Sequence, residues 1–246
     1  MKFISWNIAG RVSIVGEQIN YLLKGNYDIV CLQEVISKTE QIISKNFKNS
    51  GYSVITSSIG NHRENKGKHK YNLLIISKNQ IKIKLPKYKI KWREKYLMGI
   101  VDCGQSTIEV TTLHIPPGSS NGWEKIITIE ESYRNLIESK NSKRIVCGDW
   151  NTPKSESLNG EITTWGENKK RGDKNGRWDK GERLLLDELK NMGFEMSTMS
   201  GCSIAISDIL IPQKKDEIIN AAVKKVDEIQ SKFDKHILTD GERYNK

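Results

Sequence analysis

Long apolar runs are missing from this 246-residue sequence, in which no stretch of about eighteen consecutive apolar residues occurs. A helix needs about 20 such residues to cross a bilayer, so the sequence predicts no transmembrane segment. The first residues, "MKFISWNIAG", have too short an apolar run and no small-residue cleavage site for a secretory signal peptide. Both absences favour a cytoplasmic protein that has no membrane partner.

Cysteine is also scarce, and the four residues are widely spaced: Cys31, Cys103, Cys147 and Cys202. None belongs to a C-x-x-C pair or to the Cys/His spacing of a zinc site, and three lie within apolar runs. We therefore expect reduced and mostly buried thiols.

Acidic residues are too few to balance the basic ones, and the formal net charge is +10. Residues 61–95 hold 12 Lys and Arg against 2 acids, which alone accounts for that surplus. A basic stripe that also contains Tyr71, Tyr88 and Trp92 is typical of a surface that binds nucleic-acid phosphates and stacks bases. The alternative interpretation is a solvated edge hairpin, whose lysines discourage pairing with another sheet.

Short runs rich in Ile, Val and Leu alternate with helical patterns along most of the chain. The runs predict strands at residues 3–8, 29–32, 52–55, 73–76, 97–101, 108–115 and 145–147. Apolar residues at helical spacing predict helices near residues 15–23, 123–137 and 184–189. The polar segment 153–181 predicts a long functional or mobile loop. This alternation predicts a mixed α/β protein with a layered core.

Polar side chains follow four of these strands: Asn7, Glu34, His114, Asp149 and Asn151. Ligands of layered α/β proteins bind where strand ends converge, so one cleft can gather all five residues. Glu34 and the neutral amide of Asn7 are suitable ligands for Mg²⁺, which needs only one or two carboxylates besides substrate phosphate. The set therefore predicts phosphodiester hydrolysis.

The remaining three residues have roles in such a reaction. Asp149 can take a proton from the attacking water, and Asn151, on the same side of an extended chain, can orient that water or the phosphate. His114 can donate a hydrogen bond to a phosphate oxygen. Taken singly, these residues also suit a turn, a solvated surface position, or an Asx turn or helix cap at Asp149–Asn151.

The segments "ISWNIAG", "DIVCLQEV", "TTLHIPPG" and "IVCGDWNTP" resemble, in order and spacing, the signature motifs of the endonuclease/exonuclease/phosphatase superfamily. The resemblance covers about residues 1–196. It implies a four-layer αββα sandwich of two packed mixed β-sheets and a Mg²⁺-dependent phosphodiesterase site, with Mn²⁺ as the alternative ion. It also implies metal binding by Asn7 and Glu34, phosphate contact by His114, and activation and orientation by Asp149 and Asn151.

The C-terminal part departs from the superfamily pattern, which requires a late Asp on a strand and a Ser-Asp-His motif. Asp208 could imitate the first, and "FDKH" with His236 or "LTDG" with Asp240 could imitate the second. Residues 201–246 instead resemble a continuous stretch of the bacterial RNA polymerase β-prime subunit that omits the polymerase's catalytic aspartate motif. The tail also admits a simpler interpretation, as the divergent last strand and helix of the nuclease fold.

These patterns predict a nuclease-like domain at residues 1–197, incomplete at its C-terminus, and a β-prime-like fragment at 198–246. The fragment comprises a short strand and an amphipathic helix at about 214–235, whose apolar face needs a protein partner that the sequence does not identify. We expect the two parts to be separate, so Asp208 and His236 are not placed in the catalytic set.

The function that follows is a Mg²⁺-dependent phosphodiester hydrolase, endo- or exonuclease-like, acting on nucleic acid. Loss of the Ser-Asp-His motif is expected to weaken it, because a positioned acid or base contributes about 10²- to 10⁴-fold in rate. Two alternatives stay open. One is a non-catalytic nucleic-acid-binding or transcription-associated fusion protein, and the other is a phosphatase for a small phosphoester or phospholipid head group.

Overall fold

The computed structural model describes residues 1–58, 67–141, 143–152, 154–157, 159, 161–164, 173, 176–195 and 231. The chain divides into two compact units, Met1–Ile206 and Ser207–Lys246. Apart from Ser231, the tail lies outside the described residues, and Cys202, Asp208, His236 and Asp240 lie outside them too. The domain boundary at residue 197 therefore stays a prediction.

In the described part of the chain, the first sheet contains four strands in the order β1-β2-β4-β3. Their bounds are β1 Phe3–Asn7, β2 Ile29–Val35, β3 Ser53–Thr56 and β4 Asn72–Ser77. β1 and β2 are parallel, whereas β4 is antiparallel to both of its neighbours. β2 and β4 are buried along nearly their whole length, which explains why their sequences are continuous apolar runs rather than alternating ones.

The second sheet, as far as the described residues show it, contains four strands in the order β5-β6-β7-β8. Their bounds are β5 Ile81–Lys84, β6 Tyr96–Asp102, β7 Thr107–His114 and β8 Arg144–Asp149. β7 and β8 are parallel, and the other two pairs are antiparallel. β5 was not predicted, and its Ile-Lys alternation buries Ile81 and exposes Lys82 at the sheet edge. This part of the basic segment therefore agrees with the alternative interpretation, in which the lysines lie on an edge strand and discourage pairing with another sheet.

Helices cover the outer faces of both sheets. Their bounds are α1 Val15–Gly25, α2 Ser37–Asn49, α3 Gly118–Asn121, α4 Glu124–Leu136 and α5 Arg177–Asn191. Buried residues of α1 and α2 pack on the first sheet, those of α4 and α5 pack on the second, and a third apolar cluster fills the space between the sheets. The predicted four-layer αββα sandwich of two mixed sheets is thus confirmed.

The loop predicted at residues 153–181 is partly wrong. It contains a small hairpin of β9 (Ser155–Glu156) and β10 (Ile162–Thr163), and α5 begins within it. The Asp173 carboxylate caps this helix by accepting the backbone N–H groups of Arg177 and Trp178 at 3.1 and 2.9 Å. Trp178 is then fully buried instead of lying in a loop.

Two further expectations concern composition. Cys31 and Cys147 are free and buried as expected, whereas Cys103 is free and exposed. Within the described part of the chain, none of the helices combines the length and apolar character needed to cross a membrane.

Candidate active site

The polar strand-end residues meet where the C-terminal ends of β1, β2, β7 and β8 converge. Asn7, the last residue of β1, donates from Nδ2 to Glu34 Oε1 at 3.0 Å and to Asp149 Oδ2 at 2.8 Å. Because Glu34 belongs to the first sheet and Asp149 to the second, this amide joins the two sheets across the site. The convergence predicted from the strand ends is what the fold produces.

Glu34 reaches the site because β2 is irregular at its end. The register between β2 and β4 shifts between Leu32 and Val35, and Glu34 has a left-handed backbone with φ of +56°. Such a bulge turns a side chain away from the regular alternation of a strand. The preceding Gln33 donates to Thr112 Oγ1 of β7 at 2.9 Å, which anchors the bulge to the second sheet.

His114 is buried and paired with Lys95, a residue that the sequence pattern did not predict for the site. Lys95 Nζ lies 3.0 Å from His114 Nδ1. Burial, with a smaller contribution from the Lys95 charge, holds the pKa of His114 well below its usual value, so the imidazole is neutral. Because the Lys95 ammonium has only hydrogens to offer, Nδ1 accepts and the ring proton lies on Nε2. That Nε2 is 3.6 Å from Glu34 Oε1.

Lys95 is itself unusual for a lysine, because only 2% of its surface is exposed to solvent. Burial lowers its pKa to about 8, while the nearby Glu94, Glu34 and Asp149 carboxylates oppose that decrease. Lys95 immediately precedes β6, which is antiparallel to β7, so the start of β6 lies beside the end of β7. That position at a strand end is the signal by which it could have been found among the other cations of residues 61–95.

Asp149 has an environment suited to a base. Burial raises its pKa above the ordinary value, although hydrogen bonds from the Asn7 amide and the Asn151 N–H partly offset the increase. The neighbouring Glu34 carboxylate raises it further. A higher pKa strengthens the tendency of a carboxylate to accept a proton.

The extended geometry expected for Asp149 and Asn151 is wrong. Asn151 has a φ of +49°, and its backbone N–H donates to Asp149 Oδ1 at 3.1 Å, which is an Asx turn. Its Nδ2 donates to the backbone oxygen of Ile115 at 2.9 Å. The local hydrogen bond of the Asp149 side chain overrides the period-two alternation from which the expectation came. A water-orienting role for Asn151 stays a prediction.

The donor set fits a hard divalent cation. Glu34, His114 and Asp149 each bring a ligand atom within 4.8 Å of the others. Because the Nε2 of His114 carries its proton, the two carboxylates are the suitable ligands, and they outnumber the single Lys95 charge. Asn7 directs its amide nitrogen at the carboxylates, and its Oδ1 accepts the Ala9 N–H at 2.9 Å. Direct coordination by Asn7 therefore requires its amide to rotate.

A cleft of about 620 Å³ adjoins these residues, and its lining includes Glu34, Lys95 and His114 together with Lys68, Lys70 and Tyr71. Lys70 and Lys95 flank the Tyr71 ring, at 4.7 and 5.3 Å from its centroid. These positive groups and the aromatic ring make the cleft suitable for an anionic substrate.

Among the described residues, the rest of the basic segment is largely engaged in ion pairs or buried rather than free for a ligand. Lys84, Lys87 and Lys91 are each bonded to a glutamate of β7 or of the α4 region, at 2.5 to 2.7 Å. Tyr88 donates to Glu138, and Trp92 is nearly buried. Within the described residues, then, only part of the predicted stripe faces the cleft.

Comparison with known proteins defines the class of the chain. Residues 4–184 match the Endonuclease/Exonuclease/phosphatase family, and the chain belongs to that family. Membership supports a hydrolase of the nuclease or phosphodiesterase type.

Solved structures of other proteins are similar to this chain. An AP endonuclease from Archaeoglobus fulgidus shares the fold, with a TM-score of 0.54 and 17% identity over 88% of this chain and 82% of that chain. A humanized TDP2 from D. rerio has a TM-score of 0.48 and 19% identity over 61% of this chain and 62% of that chain.

The C-terminal segment has a different relative. The β-prime subunit of DNA-directed RNA polymerase from Campylobacter jejuni is 51% identical over 62 residues, which are 25% of this chain. The same subunit from Desulfosudis oleivorans is 46% identical over 63 residues. This chain spans only 4% of the length of these curated relatives.

Proposed function

We propose that this protein is a divalent-metal-dependent phosphodiester hydrolase that acts on nucleic acid. The observation that carries the proposal is the cluster of Glu34, His114 and Asp149, whose ligand atoms lie within 4.8 Å of one another. Glu34 would hold Mg²⁺, or alternatively Mn²⁺, with Asn7 beside it, which leaves the Asp149 carboxylate free to act as the base. The bound ion would supply Lewis-acid stabilisation of charge on the phosphoryl oxygens.

The residues of the chain would do the remaining chemistry. Asp149, with its raised pKa, accepts a proton from the attacking water. The Nε2–H of His114 donates to a non-bridging phosphate oxygen as negative charge develops, and Lys95 behind it adds a positive charge. Asn7 holds both carboxylates in place through its two hydrogen bonds. Asn151 fixes the backbone next to Asp149.

Nucleic acid is the proposed substrate because of charge and shape. The net charge of +10 favours a polyanion, and Lys68, Lys70 and Tyr71 line the cleft beside the candidate site. We further propose that catalysis is slower than usual for this family, since the sequence lacks a convincing Ser-Asp-His motif. The proposed arrangement is a nuclease-like domain at 1–197 and a β-prime-like fragment at 198–246, whose helix at 214–235 has an unidentified partner.

Cleavage of labelled single-stranded and duplex DNA and RNA, with Mg²⁺, Mn²⁺ or EDTA, tests the proposal. Glu34→Gln and Asp149→Asn should each lower the Mg²⁺-dependent rate by at least about 10²-fold, because they remove a metal ligand and the proposed base. Glu17→Gln is the matched control, since Glu17 is an exposed carboxylate on α1.

Equal cleavage by the wild type and both site variants would contradict the proposal. Salt-dependent binding without turnover would favour the non-catalytic alternative, and turnover of small phosphomonoesters alone would favour the phosphatase.

A further inference from the structure

A fully buried ion pair joins the two helices that cover the second sheet. Lys125 Nζ of α4 lies 2.6 Å from both carboxylate oxygens of Glu182 of α5. Both side chains have a solvent exposure of 0%. Burial lowers the pKa of Lys125, and the Glu182 carboxylate opposes that decrease. The carboxylate therefore compensates a charge that would otherwise be costly in this position.

Stability alone does not explain such a pair. Removing two charges from water costs about as much as their attraction returns, and well-packed apolar residues of similar volume are often equally good. The same two helices are also joined by a half-exposed pair, in which Arg177 makes two hydrogen bonds to Glu130 at 2.8 and 2.6 Å. The buried pair thus needs an explanation beyond helix attachment.

Thr152 connects the buried pair to the candidate active site. Its hydroxyl lies 2.8 Å from the backbone oxygen of Glu182 and also contacts the Glu182 carboxylate. Thr152 directly follows Asn151, whose N–H bonds to the Asp149 carboxylate. A short segment of backbone therefore separates the ion pair from the proposed base.

The turn between Asp149 and Thr152 is held by contacts on both sides. Asn151 has a left-handed backbone, which asparagine tolerates better than most other residues, so these contacts determine where the turn is placed. The Asn151 amide is held by Ile115 on one side. Thr152 is the next attachment along the chain, and its hydroxyl contacts both the backbone oxygen and the side-chain carboxylate of Glu182.

We propose that Lys125, Glu182 and Thr152 form a positioning cluster that holds the Asp149–Asn151 turn in its catalytic geometry. Lys125 fixes the carboxylate of Glu182, Glu182 fixes the hydroxyl of Thr152, and Thr152 fixes the end of the turn. The expected change in kcat rests on the proposed function, whereas the expected change in the position of the turn does not.

Variants of Thr152 in the full chain give the primary test. Thr152→Val keeps the shape and removes the hydroxyl, whereas Thr152→Ser keeps the hydroxyl. With bis(p-nitrophenyl) phosphate and Mg²⁺, Thr152→Val should lower kcat by about 10- to 100-fold with little change in KM, because a misplaced catalytic group costs about that much. Thr152→Ser should restore most of kcat.

Trp150 supplies a readout that does not depend on activity, because it lies inside the turn. In the chain labelled with 5-fluorotryptophan, the ¹⁹F resonance of Trp150, assigned with Trp150→Phe, should shift in Thr152→Val. The resonance of Trp6 on β1 should stay in place. A Thr152→Val protein in which either kcat or the Trp150 resonance is unchanged would overturn the inference.

The ion pair is tested by Lys125→Met combined with Glu182→Leu. This double variant should keep a melting temperature near that of the wild type and still show the kcat loss and the Trp150 shift. Wild-type kcat in this folded variant would also overturn the inference. The control, Arg177→Met with Glu130→Leu, should keep the wild-type kcat.

The failures of the two proposals are distinguishable. If the double variant does not fold, the Thr152 pair decides. If the wild type has no hydrolytic activity, the proposed function fails, and the Trp150 resonance alone decides whether the cluster positions the turn.

Discussion

Lys95 places a positive charge in a site that otherwise consists of carboxylates, amides and a neutral imidazole. Its Nζ is 3.0 Å from His114 Nδ1, so it fixes the tautomer in which Nε2–H faces the cleft. One residue thus adds a charge for a phosphate and orients the donor that would contact it. Burial of a lysine charge without such interactions would cost free energy.

We predict that Lys95→Met lowers kcat for phosphodiester cleavage by about 10²-fold, comparable to the loss of one donor that stabilises transition-state charge. The tautomer of His114 should also lose its preference for Nε2–H, which ¹⁵N NMR of the imidazole measures. Lys89→Met is the control, because Lys89 is an exposed lysine of the same basic segment. Equal rates for the two variants would show that Lys95 has no catalytic part.

Glu109 gives a prediction about pH and stability. Its side chain is 1% exposed and bonds to Lys84 at 2.7 Å, to Arg144 at 3.1 Å and to the Ser139 hydroxyl at 2.5 Å. Burial raises the pKa of Glu109, but these three partners together outweigh burial and hold the pKa below its usual value. The carboxylate therefore stabilises the fold above the unfolded-state pKa, and the contribution is lost as the pH falls through the lower folded-state pKa.

The expected result is that Glu109→Gln lowers the melting temperature most at pH 7. The difference from the wild type should shrink as the pH falls from 7 into the acid range below the ordinary glutamate pKa of about 4.3, because the wild-type carboxylate then also becomes neutral in the folded state. Thermal unfolding followed by circular dichroism across this range measures it, with the exposed Glu17→Gln as the reference. A difference that is constant with pH would contradict the assignment.

At the scale of elements, the packing of α5 against α4 depends on one glycine. A Cβ at Gly181 would lie 2.7 Å from Ile126 Cγ2, and Ile126 is buried and β-branched, so it cannot move aside. Gly16 of α1 has no atom within 4 Å of the corresponding Cβ position. Both glycines lie in helices but differ in the space around the Cβ position, so the same substitution at each can be compared directly.

Alanine should have opposite effects at these two positions. Gly16→Ala should stabilise the protein by up to about 1 kcal/mol, because alanine loses less backbone entropy. Gly181→Ala should destabilise it by up to about 2 kcal/mol, because overpacking exceeds the same gain. Urea unfolding measures both changes. A stabilising Gly181→Ala would show that α4 and α5 separate easily.

Elements whose apolar pattern is strong were predictable, and those with a weak pattern were not. The seven predicted strands all occur, because continuous runs such as those of β2 and β4 are buried on both faces. α2 was missed because its buried residues, Thr39, Ile43 and Phe47, form a narrow stripe in a polar sequence. β5 was missed because a charged edge strand has few apolar residues.

At the scale of the whole molecule, the chain combines a nuclease-family region with a segment similar to RNA polymerase β-prime. A segment that joins two compact units is expected to be one that proteases reach easily. Limited proteolysis of the full chain should release a stable fragment cut near residue 197 or at the division after Ile206.

Mass spectrometry would locate the cut, and the fragment should keep any Mg²⁺-dependent hydrolysis. Uniform resistance of the chain would instead support the interpretation of the tail as the last strand and helix of the nuclease fold. In that case Asp208 and His236 would return as candidate catalytic residues.

The sequence by itself determined the layered class of the fold and the five strand-end residues of the candidate site. Apolar periodicity and short motifs are local, and parallel strands bring their ends to one edge, so these features can be read without coordinates. Only the tertiary structure identified Lys95, Lys125 and Glu182. Their partners lie 19 and 57 residues away in sequence, so the sequence does not show which carboxylate or imidazole each of its 40 basic residues meets. Burial and pairing decide what a charged side chain does, and both exist only once the chain is folded.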